Sequence, residues 1–295
     1  MNRFELIDTI KVNNTLGECV LWNDHQQSVW WTDILEAKLY SYNYTKRALA
    51  VLPLSERLAS FGLTEYDDTL ICAFASGFAL YNLMSQTVEW LARPESEISG
   101  QRFNDGRVDR QGRFWAGTMV EAQSPDSEEK NGSLYRLSGS DCQKMLGGIK
   151  ISNSICWSPD SSKFYFADST THIINAFEFD SRSGNPTNPT PFVRTTPPYE
   201  PDGSTVDVEG FLWNAQWGGG KVARYSPEGR PADELTLPVS QPTCVAFGGG
   251  DMNLLFVTTA KVGLTAEQLK QQPQAGNLFI YRTPYTGLPE SRFKI

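Results

Sequence analysis

Four side chains able to bind a cation through oxygen recur at one spacing in the sequence. Glu18, Asn104, Asn153 and Asp202 each stand about eleven to thirteen residues before an aromatic strand, marked by Trp30 and Trp31, Trp115, Tyr165 and Trp213 respectively. Two carboxylates and two amide oxygens make a hard, oxygen-only donor set. It suits one divalent cation, Ca²⁺, Mg²⁺ or Mn²⁺, with Zn²⁺ and Fe²⁺ left open. A structural zinc site of His and Cys is excluded, since the only histidines are His25 and His172 and the five cysteines lack ligand spacing. There is no GxSxG elbow, and two histidines leave little room for a Ser/His/Asp triad. The glycine run Gly218, Gly219 and Gly220 has no helix behind it, which argues against a phosphate-cradling loop.

Asn and Asp before a strand also cap turns by bonding to the local backbone, so each of the four taken alone has a plain reading. Their repetition favours a site. By contrast Asp24, Asp109, Asp160 and Glu209 fall between strands and read as ordinary turn residues. Trp30, Trp31, Trp115, Phe166 and Trp213 read as core, and His172 as a histidine without a role.

The elements that must position the four are repeats. Six segments share an apolar strand, a polar turn and an aromatic-rich strand, beginning at Cys19, Phe61, Gly106, Ser154, Ser204 and Cys244. Their spacing of about 40 to 50 residues is that of propeller blades. Asp105-Gly106, Asp109 with Gly112, Pro159-Asp160 and Glu209-Gly210 supply turn chemistry for hairpins. A further strand pair follows each hairpin, as in KLYSYNY, SLYRL, IINAFEF, KVARYS and NLFIYR. The expectation is an all-β, six-bladed β-propeller filling 1–295 as one domain, with 264–272 as a short surface helix. Equivalent positions of such repeats lie on a ring about the axis, so Glu18, Asn104, Asn153 and Asp202 converge. Ser60 and Thr243 hold the weaker equivalents in the second and sixth repeats.

Net charge is −8, with lysines and arginines scattered, which disfavours nucleic acid and anionic membrane surfaces as partners. The start MNRFELIDTI lacks the apolar stretch of a signal peptide, no run of about eighteen apolar residues exists, and the cysteines read as free thiols. A cytoplasmic protein, monomeric or weakly homo-oligomeric, is expected.

Several segments carry a resemblance. LGECVLW (16–22), RFNDGRVDRQGRFWAGTM (102–119), ISNSICWSPD (151–160) and PDGSTVDVEGFLW (201–213) closely resemble the senescence-marker-protein/gluconolactonase/luciferin-regenerating family, also called regucalcin-like. The likeness continues through 218–229, 247–260 and 272–282. It implies a six-bladed propeller with one divalent cation and hydrolysis of aldonolactones. It places metal ligands at Glu18, Asn153 and Asp202, substrate-binding residues at Arg102, Asn104 and Glu121, and the general base at Asp202. One departure stands out: the family's Gly after the metal-binding Asn is Ser154 here, expected either to narrow the pocket or to demand a different local backbone.

The chemistry implied is a water attacking a polarised lactone carbonyl, with Asp202 taking its proton and Arg102 and Asn104 holding the ring. No cluster of Lys and Arg accompanies the site, so an unphosphorylated pentono- or hexonolactone is favoured. The polar segment 121–132 is expected to be a loop, with its covering of the pocket left open. Two rivals remain: an organophosphate or aryl-ester hydrolase, which needs a more apolar pocket, and a non-enzymatic calcium-binding propeller.

Overall fold

Short β-branched and aromatic runs separated by Gly, Pro, Asn and Asp favour antiparallel meanders. The computed structural model describes residues 3–121 and 132–295. There the runs form six four-stranded antiparallel sheets, five of them from consecutive strands. The sixth is completed by the N-terminal strand Glu5–Ile10, which pairs with Leu278–Arg282 near the chain's other end and so ties the circle shut.

The innermost strands are Gly17–Asn23, Leu58–Leu63, Gln101–Val108, Ser152–Trp157, Glu200–Val206 and Pro242–Gly248. Each packs on the next and the sixth packs on the first, giving a six-bladed β-propeller. Four of these strands are buried along their whole length, which explains why they read as continuous rather than alternating apolar runs. The second strands supply the core between blades: Trp31, Trp115 and Trp213 are fully buried and Phe166 nearly so, whereas Trp30 is half-buried.

Two turn expectations are corrected. Asp109 does sit in a hairpin turn, but it is completely buried, accepting from Trp115 Nε1 at 2.9 Å and from Arg113 Nε at 2.6 Å. Asp207 does the same six residues before its own tryptophan, accepting from Trp213 Nε1 at 3.0 Å and Arg224 at 2.7 Å. These pairs lock a turn to the core of its blade. Asp105 and Gly106 lie within an innermost strand rather than in a turn. A Cβ on Gly106 would stand 2.5 Å from Ser60 Oγ, so only glycine lets the second and third blades approach this closely.

The surface helix runs Ala266–Gln271, started by a reciprocal capping box between Thr265 and Gln268. Among the described residues no helix is long and apolar enough to cross a membrane. The loop expected over 121–132 lies outside the described residues except for its ends, Glu121 and Gly132.

Candidate functional site

In every blade the register between the first and second strands slips within the innermost strand. Such an irregularity re-aims the side chains beside it. The slips fall at Glu18, Asn104, Asn153 and Asp202. All four side chains line one cavity of about 390 Å³, together with Arg102 and Glu121. They come from blades one, three, four and five. The two weaker equivalents do not join them: Ser60 is buried outside the cavity, and Thr243 Oγ1 donates to Gly17 O at 2.5 Å, stitching the sixth blade to the first.

Two acids that form no ion pair among the described residues, Glu18 and Asp202, line the cavity, with Arg102 only weakly opposing the shift of Glu18. Burial, then the nearby Asp105 carboxylate, pushes Glu18 up to about 8. Asp202 is held well above the ordinary carboxylate range by burial, then by Glu18 and Asp105. Asp202 Oδ1 is buried and has no hydrogen-bond partner among the described residues. Two buried carboxylates with raised pKa, one with a bare oxygen, are stabilised by a cation placed between them.

The amides differ from one another. Asn153 donates from Nδ2 to Ser169 Oγ at 2.8 Å, which turns its oxygen toward Asn104 Nδ2, 3.2 Å away, on the cavity side. Asn104 instead has its oxygen taken by Arg102 Nη1 at 2.8 Å, and its Nδ2 points at Ser152 O (3.0 Å) and Asn153 Oδ1 (3.2 Å). Of the two amide oxygens, that of Asn104 faces a guanidinium and that of Asn153 only an amide N–H, so Glu18, Asn153 and Asp202 are the oxygens better suited to a cation. Among the described residues no three His, Cys, Asp or Glu side chains gather as a metal-binding group. An amide oxygen beside two carboxylates remains the donor set, and it fits a hard divalent cation.

The wall beside these acids is polar. Arg102 is buried and donates to Glu121 Oε1 at 3.0 Å. Arg57, from the second blade, clamps Glu121 with two bonds of 2.6 and 3.0 Å. Burial opposes ionisation of Glu121, yet Arg57 and Arg102 hold it below the usual range. The chain Arg57–Glu121–Arg102–Asn104–Asn153 thus runs from the rim to the floor.

Ser154 does not line the cavity. It takes the different local backbone, with φ at +62°. Its hydroxyl lies 2.9 Å from Asp202 O and 2.8 Å from Ser204 Oγ, and it accepts from Asn214 Nδ2 at 3.1 Å. The side chain that replaces glycine here braces the strand carrying Asp202.

Sequence reading passed over Ser169, Arg57 and Asp105. Ser169 opens a three-residue 3₁₀ turn and is a small polar residue like many others. Arg57 meets Glu121 only through the packing of adjacent blades. Asp105 was taken for a turn residue, although it lies in an innermost strand and its charge helps raise both Glu18 and Asp202. His172 has its Nδ1 2.9 Å from Tyr199 O and lies outside the cavity.

This chain is 39% identical to an L-arabinolactonase of Azospirillum brasilense over 284 residues, covering 95% of this chain and 92% of that protein. It is 34% identical to a 6-deoxy-6-sulfogluconolactonase of Pseudomonas putida, covering 96% and 97%. Among solved structures, a calcium-binding regucalcin of Agrobacterium tumefaciens superposes with a TM-score of 0.91 at 30% identity over 98% of both chains. The family model described as the SMP-30/gluconolactonase/LRE-like region matches residues 16–261. With this coverage, and with the propeller and its axial cavity in place, the chain belongs to the SMP-30/gluconolactonase/LRE-like family.

Proposed function

We propose that the protein is a carboxylic-ester hydrolase that opens an uncharged sugar-derived aldonolactone, a pentono- or hexonolactone, with one divalent cation held by Glu18, Asn153 and Asp202. The observation that carries this reading is the pair of buried acids, Glu18 and Asp202, one with an oxygen unpartnered among the described residues, lining one cavity with Arg102, Asn104 and Glu121. Names of relatives that act on sugar lactones support it.

When bound, a hard divalent cation supplies Lewis-acid polarisation of a carbonyl and lowers the pKa of a water. Asp202 then accepts the proton of the attacking water, for which its Oδ1, unpartnered among the described residues, is available. Arg102 and Asn104 hold hydroxyl or ring oxygens and fix the ring's angle, so that binding becomes orientation. Glu121 keeps Arg102 in place and accepts from a ring hydroxyl. The proton held on Asp202 leaves with the ring-opened alcohol.

The test is acid release from a panel of aldonolactones by metal-stripped protein given Ca²⁺, Mg²⁺, Mn²⁺, Zn²⁺ or Fe²⁺ in turn. At least one lactone is turned over only with metal, and Asp202→Ala abolishes turnover. Undiminished hydrolysis by Asp202→Ala removes the base. The cavity also carries apolar residues, among them Leu16, Met119 and Ile151, which is what an aryl ester needs. Phenyl esters therefore belong in the panel, and faster turnover of these than of any lactone selects the second reading. Metal binding without hydrolysis of either class selects a non-enzymatic calcium-binding protein.

A further inference from the structure

The geometry points to Trp217 as the platform on which one C–H face of the substrate ring lies, making it a specificity-determining residue; this rests on the lactonase reading above. Trp217 is the only aromatic side chain among the described residues lining the cavity. It ends the second strand of the fifth blade, Leu212–Trp217, whose other residues are all buried while it is only half-buried. Its register partner is Glu200, two residues before Asp202, so the indole stands close to the floor.

Its neighbours hold it still. Gln216 donates to Tyr225 at 2.7 Å in the core. Behind it the chain turns through Gly218 and Gly220, both with positive φ, and a Cβ on Gly219 would lie 3.2 Å from the Tyr199 ring. That turn is the role of the glycine run. Four tryptophans use their indole N–H inside the protein, Trp30 on Ser28, Trp31 on Asn14, Trp115 on Asp109 and Trp213 on Asp207, while those of Trp22 and Trp157 are buried without a partner among the described residues. Trp217 Nε1 has no such partner among the described residues.

The order of the blades gives the cavity two unlike sides. Arg102, Asn104 and Glu121 come from the third blade, which faces the sixth across the axis of a six-bladed ring. Trp217, Val262 and Leu35 come from the fifth, the sixth and the first, and give the opposite side its apolar surface beside the acids Glu18, Glu200 and Asp202 of the first and fifth blades. A cyclic polyol lactone has the matching character: hydroxyls at its edge, bare C–H bonds on its faces. Seated with its hydroxyl edge on the third blade, it presents a face to the indole. A ring with an anionic substituent meets apolar surface and carboxylates on that side, and across the axis the two guanidinium groups of Arg57 and Arg102 are already shared with Glu121.

The experiment compares Trp217→Phe and Trp217→Ala with the wild-type protein on its best lactone. The expected result for Trp217→Ala is a KM raised about tenfold with kcat changed far less, and for Trp217→Phe a KM within about threefold of wild type. Mn²⁺ affinity of the metal-stripped protein stays unchanged in both. An aldonolactam, which resists ring opening, quenches or shifts tryptophan fluorescence in the wild type but not in Trp217→Phe. Unchanged KM in Trp217→Ala, or a full fluorescence response in Trp217→Phe, overturns the platform while leaving the lactonase reading intact. No lactone turnover by the wild-type protein overturns both.

Discussion

The side-chain amide of Asn153 donates to Ser169 Oγ over 2.8 Å, and that hydroxyl donates in turn to Pro201 O at 2.7 Å. Ser169 therefore ties one proposed ligand to the backbone beside another, Asp202, and fixes which end of the amide faces the cavity. Groups that orient a ligand in this way typically change metal affinity about 10- to 100-fold when removed. Ser169→Ala is expected to weaken Mn²⁺ or Ca²⁺ binding at least about tenfold, read by titrating metal-stripped protein. An affinity equal to wild type means the amide is held without this hydroxyl.

Much of this arrangement was legible because the repeat itself is visible. The aromatic second strands gave the period, and looking back from them found Glu18, Asn104, Asn153 and Asp202 before any coordinates. What escaped depends on which atoms meet. Nothing in a linear sequence says that a guanidinium, Arg102, takes the oxygen of Asn104 while that of Asn153 meets only an amide N–H. Asp109 was misjudged for a related reason: turn propensity is local, whereas its burial follows from a tryptophan and an arginine that need its oxygens. Arg57 and Glu121 are 64 residues apart and become neighbours only when two blades pack.

Ser154 separates two effects that usually travel together. Its φ of +62° is costly for a residue with a Cβ, while its hydroxyl serves Asp202 O, Ser204 and Asn214. Ser154→Ala keeps the backbone cost and loses the bonds. Ser154→Gly loses the bonds and removes the cost, worth about 1 kcal/mol. Thermal unfolding is expected to rank wild type above Ser154→Gly and Ser154→Gly above Ser154→Ala. The reverse order for the two variants would show that the left-handed backbone carries no strain here.

Metal removal has a pH signature. Glu18 in the metal-free protein titrates near 8, above the ordinary carboxylate value it has when unfolded, and Asp202 shifts in the same direction. Between those values the folded chain binds more protons than the unfolded one, so stability falls as pH rises through the interval. Melting of metal-free protein is therefore expected to drop by at least about 5 °C between pH 5 and pH 8.5. Added Ca²⁺ or Mn²⁺ restores more at the upper end, and Glu18→Gln flattens the slope. A metal-free Glu18→Gln protein with the wild-type slope would assign that dependence to other groups.

The far end of the channel yields a different test, one of stability without chemistry. The cavity collects residues from the first halves of the innermost strands, and the second halves, carrying Val20, Arg107 and Val108, line the opposite end. There Arg107 reaches across the axis to Ser204 O at 2.7 Å and meets Glu290 at 3.1 Å. Glu290 belongs to the C-terminal segment, which crosses this end and anchors through Phe293 N to Leu63 O and Lys294 N to Gly112 O. Both partners of the ion pair are largely buried, so removing one strands a charge, at a cost of about 3 kcal/mol. Glu290→Ala is expected to lower the melting temperature on the order of 5–10 °C while leaving KM for the lactone unchanged. The double variant Arg107→Met with Glu290→Leu removes both charges and is expected to recover most of that loss, since well-packed apolar replacements of buried pairs are often neutral. A double variant as unstable as the two single losses combined would mean that Arg107 serves the Ser204 carbonyl and the blades, with Glu290 incidental. A shift in KM with Glu290→Ala would instead connect this end of the channel to the site at the other.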